Sequence, residues 1–402
     1  MVTGRLRTVL QKIHLYLGLS FGLVFVLLGL TGTVIAWRDE LDAVLNPELL
    51  RASAPAAGPV TPAQAEAVAA RLAADPRYGK PRLLMLPDGP SGVFVASYAV
   101  KGADGAVPGR SRQVMVDPAT LAIQGERIWG QPGLSRPLLM PTLFHLHRYL
   151  LAGETGKTIT GITGMLMLLT TLGGLLLWLP KLRWGALRQA LTIRHGGSWS
   201  RFNYSLHRAG GVFVAPIVLV VAFSGWYLNL PKWVTPLVGA VMTVTPSGAK
   251  PLSAPAVDGA DGAVPLGIGQ AMAAAQAAFP QARVTRVSPP RKPDDAYEVR
   301  LRQPGEVRQG GGSTRVWIDA RRGTVLRLRD PLRAPAGDTL LNWLYPLHTG
   351  EAFGLPGRIL ITVFGLAPLA FAVTGLLIWL KRRRGQRRHL ARERQRAGVR
   401  LA

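Results

Sequence analysis

The segment from His147 to Lys181 recurs without a gap 201 residues later, and this duplication constrains the fold more than any other feature of the chain. His147 meets His348, Gly156 meets Gly357, Lys157 meets Arg358, Gly164 meets Gly365, Gly174 meets Gly375, Trp178 meets Trp379 and Lys181 meets Arg382. Two unrelated apolar helices would match Leu to Leu. They would not also match a His, three Gly, a Trp and the flanking cations. A second correspondence runs at an offset of 193, pairing His14 with His207, Gly18 with Gly211, and Thr31-Gly32 with Ser224-Gly225. Internal repeats of this kind decide fold class before local propensity is considered. Each half reads as helix, polar segment, helix, with one histidine at the edge of each apolar helix.

Four mostly apolar runs, roughly 14–37, 157–180, 207–230 and 357–380, are each long enough to cross a hydrocarbon core of about 30 Å. Lys and Arg orient them. Three precede the first run, six lie between 181 and 208, and ten follow 380, with Glu393 the only acid in those segments. Basic residues crowded beside span ends mark the cytoplasmic side. Both termini are therefore expected inside, with two long loops outside. The net charge of +26 sits largely where topology demands it, so it points to anionic lipid at the Arg-rich tail rather than to nucleic acid. The absence of Cys excludes disulfides, iron–sulfur clusters, thiolate zinc sites and covalently attached c-type haem.

The expected organisation is an N-terminal segment and first span (1–37), a first outer domain (38–137), an interfacial segment and second span (138–181), and a cytoplasmic link (182–206). The third span (207–230), a second outer domain (231–342), an interfacial segment and fourth span (343–381) and a basic tail (382–402) follow. Within the first outer segment the pattern predicts a short helical exit at 37–50, a helix over 61–74 capped by Thr61 and Pro62, and strands at 82–86, 93–100 and 113–116 before a turn at Asp117. The second outer segment repeats the order, with a helix at 266–279, strands at 282–287, 297–301 and 315–318, and a turn at Asp319. One helix over a small antiparallel sheet, twice, is an α+β arrangement. The segment 302–314 reads as a flexible insert. No Gly-rich dinucleotide fingerprint is present, so reductant would come from another molecule.

Four of the seven histidines are related by the repeats. By topology His14 and His207 belong at the cytoplasmic ends of their spans, and His147 and His348 at the outer ends of theirs. Parallel repeats about an axis along the membrane normal would bring each pair to a common point. Two imidazoles facing across a bundle are the axial ligands of a six-coordinate b-type haem, which needs no Cys. Zinc is the competing ligand; it prefers three or four protein donors, and no carboxylates cluster with these histidines. Arg148, Arg208, Lys157 and Arg358 flank the histidines and suit haem propionates or, equally, interfacial snorkelling. His145 is an alternate to His147, which is preferred because the repeat aligns it. His195 and His389 lie in basic cytoplasmic segments and read as solvated. Gly18, Gly22, Gly29 and Gly32 share the His14 face of the first span, a stripe that suits close helix packing or a flat cofactor. Trp129, Trp343 and Tyr345 could wall an outer ligand site or serve as interface anchors.

On the motifs His14-Leu15-Tyr16-Leu17-Gly18, Leu146-His147-Arg148, Leu206-His207-Arg208 and Pro346-Leu347-His348-Thr349-Gly350 followed by Gly357-Arg358, the chain resembles the PepSY-associated transmembrane family, and within it the ferric-siderophore reductases of the FoxB and PiuB type. The resemblance implies an α-helical membrane protein with four transmembrane helices in two parallel repeats, plus two extracytoplasmic α+β PepSY-like domains. It also implies two b haems in a bacterial inner membrane, drawing electrons from quinol or a cytoplasmic reductase and passing them to periplasmic ferric siderophores, with release of Fe(II). The different-class alternative is a membrane-anchored PepSY binding module, a protease modulator or envelope sensor without redox activity. Mid-span charge is nearly absent, which argues against a transporter.

Overall fold

A computed structural model describes residues 4–55, 58–89, 91–102, 105–180, 183–246, 248–254 and 266–399. Lys181, which closes the first repeat copy, lies outside the described residues, as do 182, two positions of the linker after 52, and the extreme ends of the terminal segments. Among the described residues, four helices are long and apolar enough to cross a membrane: Gly4–Ile35, Gly153–Trp178, Trp199–Asn229 and Glu351–Gln395. The chain divides into two compact units, one comprising Met1–Ala36, Thr158–Asn229 and Ile359–Ala402, the other Trp37–Lys157 and Leu230–Arg358.

The first unit is helical. Its elements are α1 (Gly4–Ile35), α6 (Gly153–Trp178), α7 (Trp184–Leu191), α8 (Trp199–Ser205), α9 (Gly211–Asn229) and α14 (Ala367–Val399). Close backbone approach fixes two of its crossings. A Cβ on Gly29 would run into the carbonyl oxygen of Gly365. A Cβ on Gly164 would stand 3.0 Å from Trp226 N and 3.1 Å from Ala222 O. Gly164 and Gly365 are 201 apart, and Gly29 and Ala222 are 193 apart. The same small-residue contact thus occurs twice, once between the first and fourth spans and once between the second and third. Thr31 and Ser224 match in the same way, each hydroxyl donating to the carbonyl four residues back at 2.7 Å.

Two spans are not single uninterrupted α-helices over the expected ranges. The fourth is broken at residues 365–366 between α13 (Gly354–Phe364) and α14. Pro368 has no N–H to give to Phe364 O, and Leu366 N turns to Val363 O at 3.2 Å. At the matching position of α6 stands Met167, and that helix is continuous. The third span begins before 207, because α8 runs into a π turn at Leu206–Gly210 that leads directly into α9.

The second unit holds α2 (Arg38–Leu45), α3 (Pro47–Leu50), α4 (Pro62–Ala73), α5 (Arg136–Tyr149), α10 (Pro231–Gly239), α11 (Ile268–Ala278), α12 (Ala336–Thr349) and the start of α13. Its strands are β1 (Leu83–Met85), β2 (Phe94–Gly102), β3 (Gly105–Val116), β4 (Ile123–Trp129), β5 (Arg283–Ser288), β6 (Tyr297–Arg302), β7 (Thr314–Ile318) and β8 (Val325–Arg329). Sequence patterning anticipates neither β4 nor β8. The two small sheets expected from the repeats are one eight-stranded antiparallel sheet, ordered β4-β3-β2-β1-β5-β6-β7-β8. The join is the β1–β5 pairing, Leu84 opposite Val287 and Met85 opposite Arg286.

One core lies under both helices. Ala65, Val68 and Leu72 of α4 and Ala271, Met272 and Ala275 of α11 pack with Leu84, Phe94, Val116, Val287, Val299 and Ile318 from the sheet. Burial of each large side chain contributes about 1.5–3 kcal/mol, and sharing the core spares each half an exposed sheet edge. Thr61 and Gln64 close a capping box at the start of α4. The two turns match: Asp117 Oδ1 accepts Ala119 N and Thr120 N at 2.8 and 2.9 Å, and Asp319 Oδ1 accepts Arg321 N and Arg322 N, both at 2.8 Å. The segment 302–314 is tied down rather than loose. The buried Glu306 carboxylate accepts from Gln303 N at 2.8 Å, Thr314 Oγ1 at 2.6 Å and Ser313 N.

Candidate functional site: two histidine pairs

In the helical unit, His14 of α1 and His207 of the π turn come together with ring centroids 6.4 Å apart and planes at 85°. Both rings are half-buried. His14 Nδ1 lies 2.9 Å from Thr170 O. A carbonyl only accepts, so this nitrogen carries the proton. His207 Nδ1 lies 2.8 Å from Thr374 Oγ1, whose own proton goes to Ala370 O at 2.7 Å. The hydroxyl is therefore an acceptor here too. Each Nδ1–H is held by a threonine of a neighbouring span, which leaves each Nε2 with its lone pair.

Glycine makes room for both rings. A Cβ at Gly174 would stand 3.1 Å from His14 Cε1, and one at Gly375 would stand 3.3 Å from His207 Cε1. These two glycines are the pair matched at 201. Along α1 the glycine stripe serves two purposes. Gly29 makes a helix crossing, whereas Gly18 and the buried Gly22 have nothing within 4 Å of a built Cβ. The π turn that carries His207 had no signal in the apolar pattern beyond the Gly210-Gly211 pair. Such turns recur at functional sites.

In the sheet-bearing unit, His147 near the end of α5 and His348 near the end of α12 have ring centroids 6.3 Å apart and planes at 61°. Both helices end in left-handed residues, Leu150 and Gly350, and the chain then turns through Gly153 (φ 57°) and Gly354 (φ 60°). A Cβ on Gly156 would meet Tyr149 O, and one on Gly357 would meet Gly350 O. Glycine at 156 and 357 permits this close backbone approach, and its repetition delivers the two histidines to equivalent places.

His145 is elsewhere. It is buried among Trp129, Phe144 and Tyr149, with centroids at 5.7, 5.5 and 5.3 Å, and its Nδ1 donates to Pro141 O at 2.8 Å. Three of the flanking cations have partners of their own. Lys157 pairs with Glu154 at 2.8 Å. Arg358 forms a two-pronged pair with Glu40, 2.8 Å on one prong, and lies 4.3 Å over the Trp37 ring. Arg148 lies over Tyr149 at 5.4 Å, and Arg208 is half-buried in the π turn. Trp129, Trp343 and Tyr345 do not form one wall: Trp129 packs on Phe144 and His145, Tyr345 lies under Arg308, and Trp343 is 38% exposed.

Two residues with no signal in the sequence pattern anchor α5. Asp42 and Arg127 form an ion pair at 2.8 Å with each side chain 6% exposed. Arg127 also donates to Gln113 Oε1 at 3.0 Å and Pro137 O at 3.2 Å. Asn46 Nδ2 donates to Asp42 and, at 3.1 Å, to Arg136 O. The start of the helix bearing His147 is thereby clamped to β4 and α2.

Among the described residues no three His, Cys, Asp or Glu side chains converge as a metal-binding group, so the donor set available at each pair is two imidazoles. No curated protein matches the chain. The family model described as the PepSY-associated TM region matches residues 11–382, a stretch that holds all four paired histidines. The chain belongs to the PepSY-associated TM family.

Proposed function

We propose that this protein is a di-haem reductase of a bacterial inner membrane, built as two parallel repeats with both termini in the cytoplasm. It would take electrons from quinol or a cytoplasmic reductase and deliver them to ferric siderophores outside, releasing Fe(II). The observation that carries this reading is the spacing of the histidine pairs. Imidazole nitrogen binds a first-row metal at about 2.0–2.1 Å and the ring centroid lies roughly 1.1 Å behind it, so two collinear axial ligands place their centroids about 6.3 Å apart. The pairs stand at 6.4 and 6.3 Å.

The chain's own residues fit the group in three further respects. Protonated Nδ1 atoms on His14 and His207 leave Nε2 free to ligate. Even a Cβ at Gly18 or Gly22 on the His14 face would meet nothing within 4 Å, so neither backbone position is blocked by a neighbouring span. A two-nitrogen donor set suits an iron already held by a macrocycle and falls short of what zinc requires. Bound haem would supply one-electron transfer across the apolar span. Thr170 and Thr374 would hold the ring orientation, and Arg208, for which no acid partner occurs among the described residues, is the flanking cation best placed to meet a propionate.

The test is the colour and stoichiometry of the detergent-purified chain. A low-spin b-type spectrum with two haems per chain is expected. His14→Ala or His207→Ala should each remove one, His147→Ala or His348→Ala the other, and His145→Ala neither. Dithionite-reduced protein should be reoxidised by a ferric siderophore, with Fe(II) trapped by a ferrous chelator. Colourless protein from haem-replete cells would end the reading and favour a binding module.

A further inference from the structure

Four arginines stand directly opposite one another across the second half of the sheet. Arg286 on β5 is paired with Arg300 on β6, Arg300 with Arg315 on β7, and Arg315 with Arg329 on β8. They lie on the face away from α11, because their neighbours Val287, Val299, Leu301 and Val316 fill the core. Like charges in directly opposed positions destabilise a sheet. A fifth, Arg308, lies over the Tyr345 ring at 4.0 Å. The acids nearby are too few to balance them. Glu298 reaches Arg315 at 3.6 Å and Asp338 reaches Arg329 at 3.8 Å. Glu298 also acts on Arg286 and Arg300, and the half-buried Glu351 on Arg308, but among the described residues no carboxylate comes within ion-pair distance of these three arginines.

Arg300 Nε is buried without a hydrogen-bond partner. Burial, followed by Arg315, Arg286 and Arg308, pushes the Arg300 guanidinium down to about 9. Burial, followed by Arg308 and Arg315, lowers Arg286.

The first half of the sheet shows that the fold does not need this row. There the matching ladder runs Leu83, Ser97, Gln113, Arg127. Its single arginine is neutralised by Asp42 at 2.8 Å. One half thus carries a charge-balanced scaffold and the other a row of forked cations. The row opens toward its edge, where the Arg315 and Arg329 side chains are 34% and 48% exposed. Tyr345, beneath Arg308, precedes His348 by three residues on α12, a rise of about 4.5 Å.

We propose that the Arg286–Arg300–Arg315 row, with Arg308, binds a small soluble ligand carrying several carboxylates, and that the ferric chelate reduced by this protein is accordingly anionic. The second clause rests on the reductase reading; the first does not. Guanidinium forks match carboxylates in two-pronged geometry, and a polycarboxylate would satisfy Arg300 Nε and relieve the cross-strand repulsion. One helical turn then separates the bound ligand from the outer histidine pair.

The experiment is calorimetric titration of the full chain in detergent with tricarballylate, its uncharged trimethyl ester and inorganic phosphate. Tricarballylate should bind, more weakly as salt is raised, and the ester should not. Arg300→Gln and Arg286→Gln should each weaken binding about tenfold or more while raising the thermal midpoint of the ligand-free protein, since each removes a repelling charge. Equal binding of the ester, phosphate binding without tricarballylate binding, or unchanged affinity in both variants would overturn the proposal. So would haem loss from folded Arg300→Gln, which would assign the row to the cofactor. Tricarballylate binding by a colourless, redox-inactive protein would leave this site standing and remove the reductase reading. Undiminished reduction of a neutral ferric hydroxamate by Arg300→Gln, without tricarballylate binding, would do the reverse.

Discussion

Thr374 Oγ1 accepts the Nδ1 proton of His207 across 2.8 Å while giving its own proton to Ala370 O, so a helix backbone fixes the tautomer of a ring on another helix. Ring orientation at this pair is thus a property of span packing. Thr374→Val keeps the shape and deletes the acceptor. Loss of such an outer partner typically costs about 10–100-fold in affinity for a bound metal centre. If the pair holds haem as proposed above, Thr374→Val should therefore retain the fold, weaken haem retention there by that order and shift its midpoint potential, and Thr374→Ser should restore both. Haem titration with potentiometry measures it; wild-type affinity in Thr374→Val would remove the threonine from the site.

The glycine stripe on α1 separates two roles that share one face. Gly29→Ala places a methyl against Gly365 O, and overpacking of this kind costs about 1–3 kcal/mol. Gly22→Ala adds a methyl that meets nothing within 4 Å. The first variant should lower the thermal midpoint and monodispersity. The second should leave both nearly unchanged and, on the proposed di-haem reading, reduce haem content. Size-exclusion profiles read alongside pyridine haemochrome values check this, and equal destabilisation by the two substitutions would contradict it.

Removing one partner of a buried ion pair strands the other, at a cost of about 3–5 kcal/mol. Asp42→Ala should therefore strongly destabilise the sheet-bearing unit, since Arg127 would retain Gln113, Pro137 O and the face of Trp129 but no acid. Arg136→Ala should change little, because its pairing with Glu48 at 3.9 Å is exposed. Differential scanning calorimetry distinguishes the two.

Acid should loosen the two matched turns. Burial pushes the Asp117 carboxyl up, but N–H donors from Ser53, Thr120 and Ala119 outweigh it and hold the group down at about 2. Asp319 is lowered in the same way, burial being outweighed by N–H donors from Ala254, Arg322 and Arg321. A carboxyl whose folded pKa is depressed contributes stability that is complete above its unfolded value of about 3.9 and is lost as pH falls through the folded value. Wild type should thus exceed Asp117→Asn in thermal midpoint at pH 7, and the gap should close between about pH 4 and pH 2. A gap independent of pH would show that charge plays no part.

Covalent order alone determined a good deal of this protein. The offset of 201 fixed which histidines correspond, apolar length fixed the four spans, and Thr61, Asp117 and Asp319 announced a cap and two turns, because each signal is local to a few residues. Pairing across the sheet is not local. Nothing within Leu83–Met85 or Arg283–Ser288 states that these strands adjoin, so two expected sheets became one. The arginine row exists only through the registers of four strands, and the Leu-Arg-Leu-Arg alternation of the last, Val325–Arg329, does not say which strand it pairs with. Asp42 and Arg127 lie 85 residues apart in sequence and meet only because β4 and α2 pack on the same helix. Desolvation and cross-strand charge depend on what the fold brings near, and those quantities were decided by tertiary structure.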